Sequence, residues 1–155
     1  MKYIFFLHDN IEYWIEIHNE GYALRQIISN NGMIQISCKT DCLAEGSINV
    51  FDLDGECKYI DYNTFEKKWQ SIIKIYKVSW MKEKKVNSVG KVIQGNVKYF
   101  YPQGVILQID DSQAICDYNE LKKVAGSNNL KVGQIVNGVV IGYDESNMWI
   151  KVTPL

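Results

Sequence analysis

Four cysteines and two histidines are the only side chains in this 155-residue sequence that suit a soft-metal or thiol site. Cys38 and Cys42 have a spacing compatible with two zinc ligands, and Cys57 with His18 would complete a set of four. The paired knuckles of a zinc site are missing, and a buried free cysteine behaves as a small hydrophobe. Irregular cysteine spacing in a chain of this length also argues against a disulfide scaffold. Asp52-x-Asp54-Gly55-Glu56 begins like a calcium loop but lacks the ligand series and the closing glutamate, so it reads as a turn. The expectation is no metal and no small-molecule cofactor.

Acid–base chemistry has one candidate group. Glu12 and Glu16 alternate with Trp14 and His18, and Arg25 on the following strand lies across from them. Paired carboxylates beside an aromatic could transfer protons. A solvated sheet face carrying a cross-strand ion pair explains the same residues with fewer assumptions. Neither His8 nor His18 belongs to a nucleophile–base motif, and no Gly-rich phosphate loop is present. The sequence is not expected to be an enzyme.

A third set could recognise rather than react. Tyr99, Phe100 and Tyr101 stand together, followed by Tyr118 and Trp149, with Lys98 and Lys151 close to them in the chain. Exposed aromatic rings stack nucleic-acid bases, each worth roughly 1–3 kcal/mol, while lysines reach phosphates. The commoner fate of such rings is packing in a small core.

Charge gives this set little help. Net charge is −1: residues 1–80 carry 8 basic and 11 acidic side chains, 81–88 carry 3 and 1, and 89–155 carry 6 of each. No general basic field gathers nucleic acid. The opening MKYIFFLHDN is too brief for a signal-peptide apolar region, and nothing approaches membrane-spanning length. A soluble, reduced, cytoplasmic protein is expected.

The elements that must hold these residues fall into two halves. Residues 2–7 form a first strand, residues 11–18 an alternating second one with Ile11, Tyr13, Ile15 and Ile17 on one face. Residues 22–29 run back after a turn at Asn19-Glu20-Gly21. Asn30-Asn31-Gly32 is a hairpin signal leading into a strand at 33–37. A looser segment follows, with a turn at Asp54-Gly55. The period then changes: Asn63 is placed to cap a helix whose Phe65, Trp69, Ile72, Ile73 and Tyr76 make one apolar stripe. Residues 81–88 read as a charged linker. From 89 to 155 the chain reads as five short, glycine-punctuated strands closing into a barrel. The fold class is therefore α+β, mostly β, with an antiparallel sheet and one helix in 1–80 and a five-stranded barrel in 89–155.

The barrel's motif order resembles the S1 type of oligonucleotide-binding domain. Gly90, Gly95 and Gly104 take the glycine positions, and Val97, Leu107 and Ile109 the core. Asn119-Glu120-Leu121 stands at the family's corner, Val132-Gly133-Gln134-x-Val136 at its later phrase, and Asp144-Glu145 at its last turn. The resemblance implies a closed barrel that binds single-stranded RNA or DNA on the second and third strands. Four ligand positions depart from it: the two family aromatics fall on Gln103 and Ile106, the histidine on Asp117 and the late arginine on Trp149. Asp117 would repel a phosphate backbone. Lys98, Tyr99, Tyr101, Tyr118, Trp149 and Lys151 remain as the expected nucleic-acid contacts.

Residues 11–70, through the phrase Gly21-Tyr22-Ala23-Leu24-Arg25-Gln26-Ile27 and through Ile60, Phe65, Glu66 and Trp69, resemble small bacterial domains found among toxin-immunity proteins. That resemblance implies no catalytic residue. Two readings follow: a non-enzymatic, RNA-binding barrel, or a barrel reused as a protein-interaction surface by an immunity-type inhibitor.

Overall fold

The computed structural model describes residues 1–53, 55–126 and 130–155; Asp54, on which the expected Asp54-Gly55 turn and calcium-like loop depend, lies outside them. The chain divides into two compact units, Met1–Ile75 and Tyr76–Leu155.

The first unit is an antiparallel sheet of β1 (Lys2–His8), β2 (Ile11–Ile17), β3 (Ala23–Asn30), β4 (Met33–Ile36) and β5 (Glu56–Ile60), followed by α1 (Tyr62–Ile73). Strand order is β4-β3-β2-β1-β5. The β3–β4 turn forms where expected, because Asn31 (φ 50°) and Gly32 (φ 81°) both adopt the left-handed conformation that a two-residue hairpin needs. The cap of α1 differs from expectation. Asp61, not Asn63, holds extended backbone, and its carboxylate accepts the Thr64 N–H at 2.7 Å. Asp caps as well as Ser or Asn does, and Asn63 lies two residues inside the helix.

Both faces of this sheet are covered. Ile4, Ile15 and Ile17 are buried on one side. On that side Gln26 accepts a hydrogen bond from the Ala44 N–H at 2.8 Å, tying down the segment after β4. Tyr3, Glu16 and Arg25 are register partners on the opposite side, against α1 and its buried Phe65 and Trp69. The face expected to be solvated is therefore closed at this point: Glu16 is 8% and Arg25 6% exposed. The cross-strand ion pair is present, but a helix lies over it.

The second unit begins with α2 (Lys77–Val86) and continues through β6 (Val92–Tyr101), β7 (Gly104–Ile109), β8 (Ser112–Cys116), α3 (Tyr118–Ala125), β9 (Ile135–Asp144) and β10 (Trp149–Pro154). The strands close as β10-β8-β7-β6-β9, with β9 pairing back to β10. Only β8 and β10 run parallel. This closed five-stranded barrel, with a helix between its third and fourth strands, is compatible with an oligonucleotide/oligosaccharide-binding-like fold. Val97, Leu107, Ile109, Val136, Val140, Ile150 and Val152 are buried in it. Gly138 permits the β9–β10 closure, since a Cβ there would press on the Val152 side chain and lie 2.7 Å from the Thr153 carbonyl oxygen.

Two expectations for this half are corrected. Most of residues 81–88 is not a linker but the latter part of α2, fixed to the barrel by its own side chains. Trp80 is buried and its indole N–H donates to Glu145 at 2.7 Å, as does the Lys84 ammonium at 2.8 Å. The Tyr143 hydroxyl donates to the carbonyls of Lys84 and Asn87. The Asn119-Glu120-Leu121 corner is the first part of α3, whose Leu121 is buried and whose N-cap is Asp117, accepting from the Glu120 N–H at 2.9 Å. No helix among the described residues is long and apolar enough to cross a membrane.

Candidate interaction surfaces of the barrel

The six expected contact residues do not form one surface. Lys98, Tyr118 and Lys151 are exposed, and Tyr99 is half-buried. Tyr101 is 8% exposed and Trp149 has no exposure at all. The rings of Tyr99 and Tyr101 meet at 4.8 Å between centroids, and those of Tyr101 and Trp149 at 6.0 Å. The Tyr99 hydroxyl reaches the Gln113 side chain at 3.4 Å. The aromatic row is thus packed against itself, which corrects the expectation that Tyr101 and Trp149 face outward to stack bases. Ile106, at a ligand position of the resembled family, is likewise fully buried.

What stays exposed is a smaller pair that the sequence only half indicated. Phe100 (42% exposed) and Tyr118 (44%) make an edge-to-face contact at 6.3 Å, one from the end of β6 and one from the first turn of α3. The Lys122 ammonium lies 5.9 Å from the Tyr118 ring, a cation–π distance. Asp117 precedes this pair, its carboxylate engaged as the helix cap.

A second surface was missed in the sequence reading. Where β6 and β9 pair, the outward side chains are Val92, Gln94 and Asn96 on one strand and Ile135, Asn137 and Val139 on the other, with Ile141 beyond them. None of these is charged, and Lys98 is the next exposed position along β6. Val92 is 63% and Ile135 61% exposed, and Gln94 donates to Asn137 across the strands at 3.1 Å. The alternation was legible; the absence of Lys, Glu and Asp from residues 92–96 and 135–141 was the available signal.

A third feature is a groove of about 350 Å³ on the barrel wall, lined by residues of β8, β9, β10 and the start of α3. Ile115, Ile141 and Val152 give it apolar surface, and Gln103, Asp117, Glu120, Asp144 and Lys151 give it polar and charged surface.

Cys38, Cys42, Cys57 and His18 do not come together, and among the described residues no group of three or more His, Cys, Asp or Glu side chains is placed to hold a metal ion. All four cysteines are free thiols. Burial pushes Cys42 from 9.0 to about 11, aided by Asp41. Burial pushes Cys116 to about 12, aided by Glu120 and Asp117. A rise of that size cuts the thiolate fraction about a hundredfold or more, and the thiolate is the reactive form. Alkylation by iodoacetamide at pH 8 is therefore expected to modify Cys57 first, Cys42 far more slowly, and Cys38 and Cys116 only after unfolding. Mass mapping of the labelled peptides checks this order; early labelling of Cys116 would contradict it.

The first unit carries a buried ionic network. Arg25 donates through Nε and Nη2 to the two oxygens of Glu16, at 3.1 and 2.7 Å. Its Nη1 lies 2.9 Å from a Glu66 oxygen, an ion pair outside hydrogen-bond geometry. The guanidinium also covers the Phe65 and Trp69 rings, at 5.0 and 5.1 Å. Burial pulls its pKa down, but the bonds and attraction to Glu16, then Glu66, outweigh that and the net shift is upward. Through Arg25 this network ties β2 and β3 to α1.

No protein-family model matches this sequence, and no curated protein matches it either. The class is therefore set by the molecule alone: a mostly β chain with one antiparallel sheet-and-helix unit and one closed five-stranded barrel.

Proposed function

We propose that this chain is a non-enzymatic binding protein whose barrel receives a protein partner, in the manner of an inhibitor or immunity-type protein. The observation that carries this reading is the uncharged outer face where β6 and β9 pair, over residues 92–96 and 135–139, bounded by Lys98. Depletion of charge around exposed apolar side chains marks the core of protein interfaces, whereas bulk hydrophobicity does not. The burial of Tyr101 and Trp149 weighs the same way, because it weakens a nucleic-acid platform.

The test is a variant with Val92→Glu and Ile135→Glu. Both side chains are exposed, so the barrel's circular dichroism is expected to be unchanged. A stoichiometric complex recovered with the native chain from lysate of its source cells is expected to be lost with the variant. Equal recovery with both chains, or recovery of nucleic acid alone, would remove the reading.

A second reading rests on Phe100 and Tyr118. The S1-like motif order and this exposed ring pair, with Lys98, Lys122 and Lys151 on the same barrel, favour a short single-stranded RNA. It requires affinity for a mixed-sequence oligoribonucleotide that falls steeply with salt and drops about tenfold in Tyr118→Ala. Binding that is absent at low salt sinks it.

A further inference from the structure

Resting on the protein-partner reading, we infer that the groove between α3 and the β9–β10 wall takes an extended basic segment of that partner, with lysine or arginine flanking an apolar side chain.

The groove combines unbalanced charge with apolar side chains. Asp117, Glu120 and Asp144 edge the groove, with Lys151 the single cation among them. Each carboxylate is held in place by a neutral donor: Asp117 by the Glu120 N–H, Glu120 by the Thr153 hydroxyl at 3.2 Å, Asp144 by the Asn147 backbone and amide N–H groups at 3.0 Å. Among the described residues none of the three forms an ion pair, with Lys151 or with any other cation. Three fixed negative charges against one positive leave the groove net negative although the whole barrel segment is balanced. A concave surface with low-dielectric walls concentrates such a field.

The occupant's chemistry follows by elimination. A phosphate backbone would be repelled by the same three groups. A bare metal ion lacks a ligand cluster, since no three acidic side chains here converge closely enough to hold one. An apolar segment without charge would leave the rim carboxylates desolvated and unpaired, which is costly. A segment alternating between lysine or arginine and an aliphatic residue satisfies both parts: its apolar side chain covers Ile115 and Ile141, and its cations meet the rim. Ile141 lies just beyond the uncharged face along β9 and also lines the groove, so one partner can cover both.

The experiment uses the full chain and a fluorescein-labelled peptide of eleven alternating lysine and valine residues, read by anisotropy at low salt. Asp117→Asn, Glu120→Gln and Asp144→Asn combined remove three charges while keeping the helix cap, the acceptor for Thr153 and one of the two Asp144 acceptors for Asn147. Affinity is expected to fall about tenfold or more. A control with Glu45→Gln, Asp110→Asn and Asp111→Asn removes the same charge from exposed positions elsewhere. It is expected to bind within about twofold of the native chain. Equal losses in the two variants would show non-specific charge attraction and overturn the inference, as would no peptide binding, or an oligouridylate of the same length binding better than the peptide. The separate wall variant keeps the two ideas apart. If the lysate complex depends on Val92 and Ile135 but the groove variants change nothing, the groove assignment fails and the protein-partner reading stands. If neither the complex nor peptide binding appears, both fall.

Discussion

Replacing Arg25 with Ala is expected to destabilise the first unit by about 3–5 kcal/mol, the range for breaking a buried ion pair from one side. The size follows from what the guanidinium touches. It donates two hydrogen bonds to Glu16, forms an ion pair with Glu66 and covers the rings of Phe65 and Trp69. Removing it strands a Glu16 carboxylate that is almost entirely out of water, beside a Tyr3 hydroxyl whose pKa is already raised by burial and by Glu16. Folded domains have only about 5–15 kcal/mol in hand, so α1 would detach or the sheet would open. Urea titration followed by the amide hydrogen exchange of β2 and β3 measures it. A second variant separates the charge from the packing. Arg25→Met together with Glu16→Gln and Glu66→Gln removes every charge at once and is expected to recover at least half of the loss, because no ion is left unpaired. A loss under about 1 kcal/mol in Arg25→Ala would mean that the network contributes only what surface pairs do.

That network shows where sequence patterning succeeds and where it stops. Alternation along residues 11–17 placed Glu16 and Arg25 on one face and paired them across strands, and both follow from the period-2 geometry of a strand. Alternation carries no information about what covers a face. Only the docking of α1, a long-range event, turns an apparently wet pair into a buried one. The same gap explains the charged stretch at 81–88. Its composition is that of a linker, but Trp80 and Lys84 are one helical turn apart and share Glu145 as acceptor, which lies 61 residues beyond Lys84. No local pattern reports a partner at that distance. The glycine spacing of the barrel was readable because Gly95 and Gly104 sit where a neighbouring strand passes too close for a side chain. The α1 cap was misplaced by two residues because Asp61 and Asn63 are both competent caps, and backbone conformation decides between them.

Trp149→Ala is the second large effect, and it separates a packed ring from a binding ring. Trp149 is among the largest fully buried side chains, and full truncation of a buried aromatic costs about 3–5 kcal/mol. The loss should appear in the barrel itself. Trp149 opens β10, and the next residue, Ile150, starts the pairing with Ala114 of β8 that closes the cylinder. Amide exchange in β8 and β10 is expected to speed up by about a hundredfold or more, since each 1.4 kcal/mol is a factor of ten. Tyr118→Ala provides the contrast. Its ring is exposed and touches only Phe100 and Lys122 among the described rings and cations, so stability should move by no more than about 0.5 kcal/mol. If Trp149→Ala leaves exchange in β8 and β10 unchanged, the ring is not holding the barrel closed, and the packed row of Tyr99, Tyr101 and Trp149 would have to be read again as an openable platform. If instead the barrel loosens as expected, any fall in RNA affinity seen with that variant would reflect unfolding. Phe100 and Tyr118 would then be the rings on which the stacking reading has to be judged.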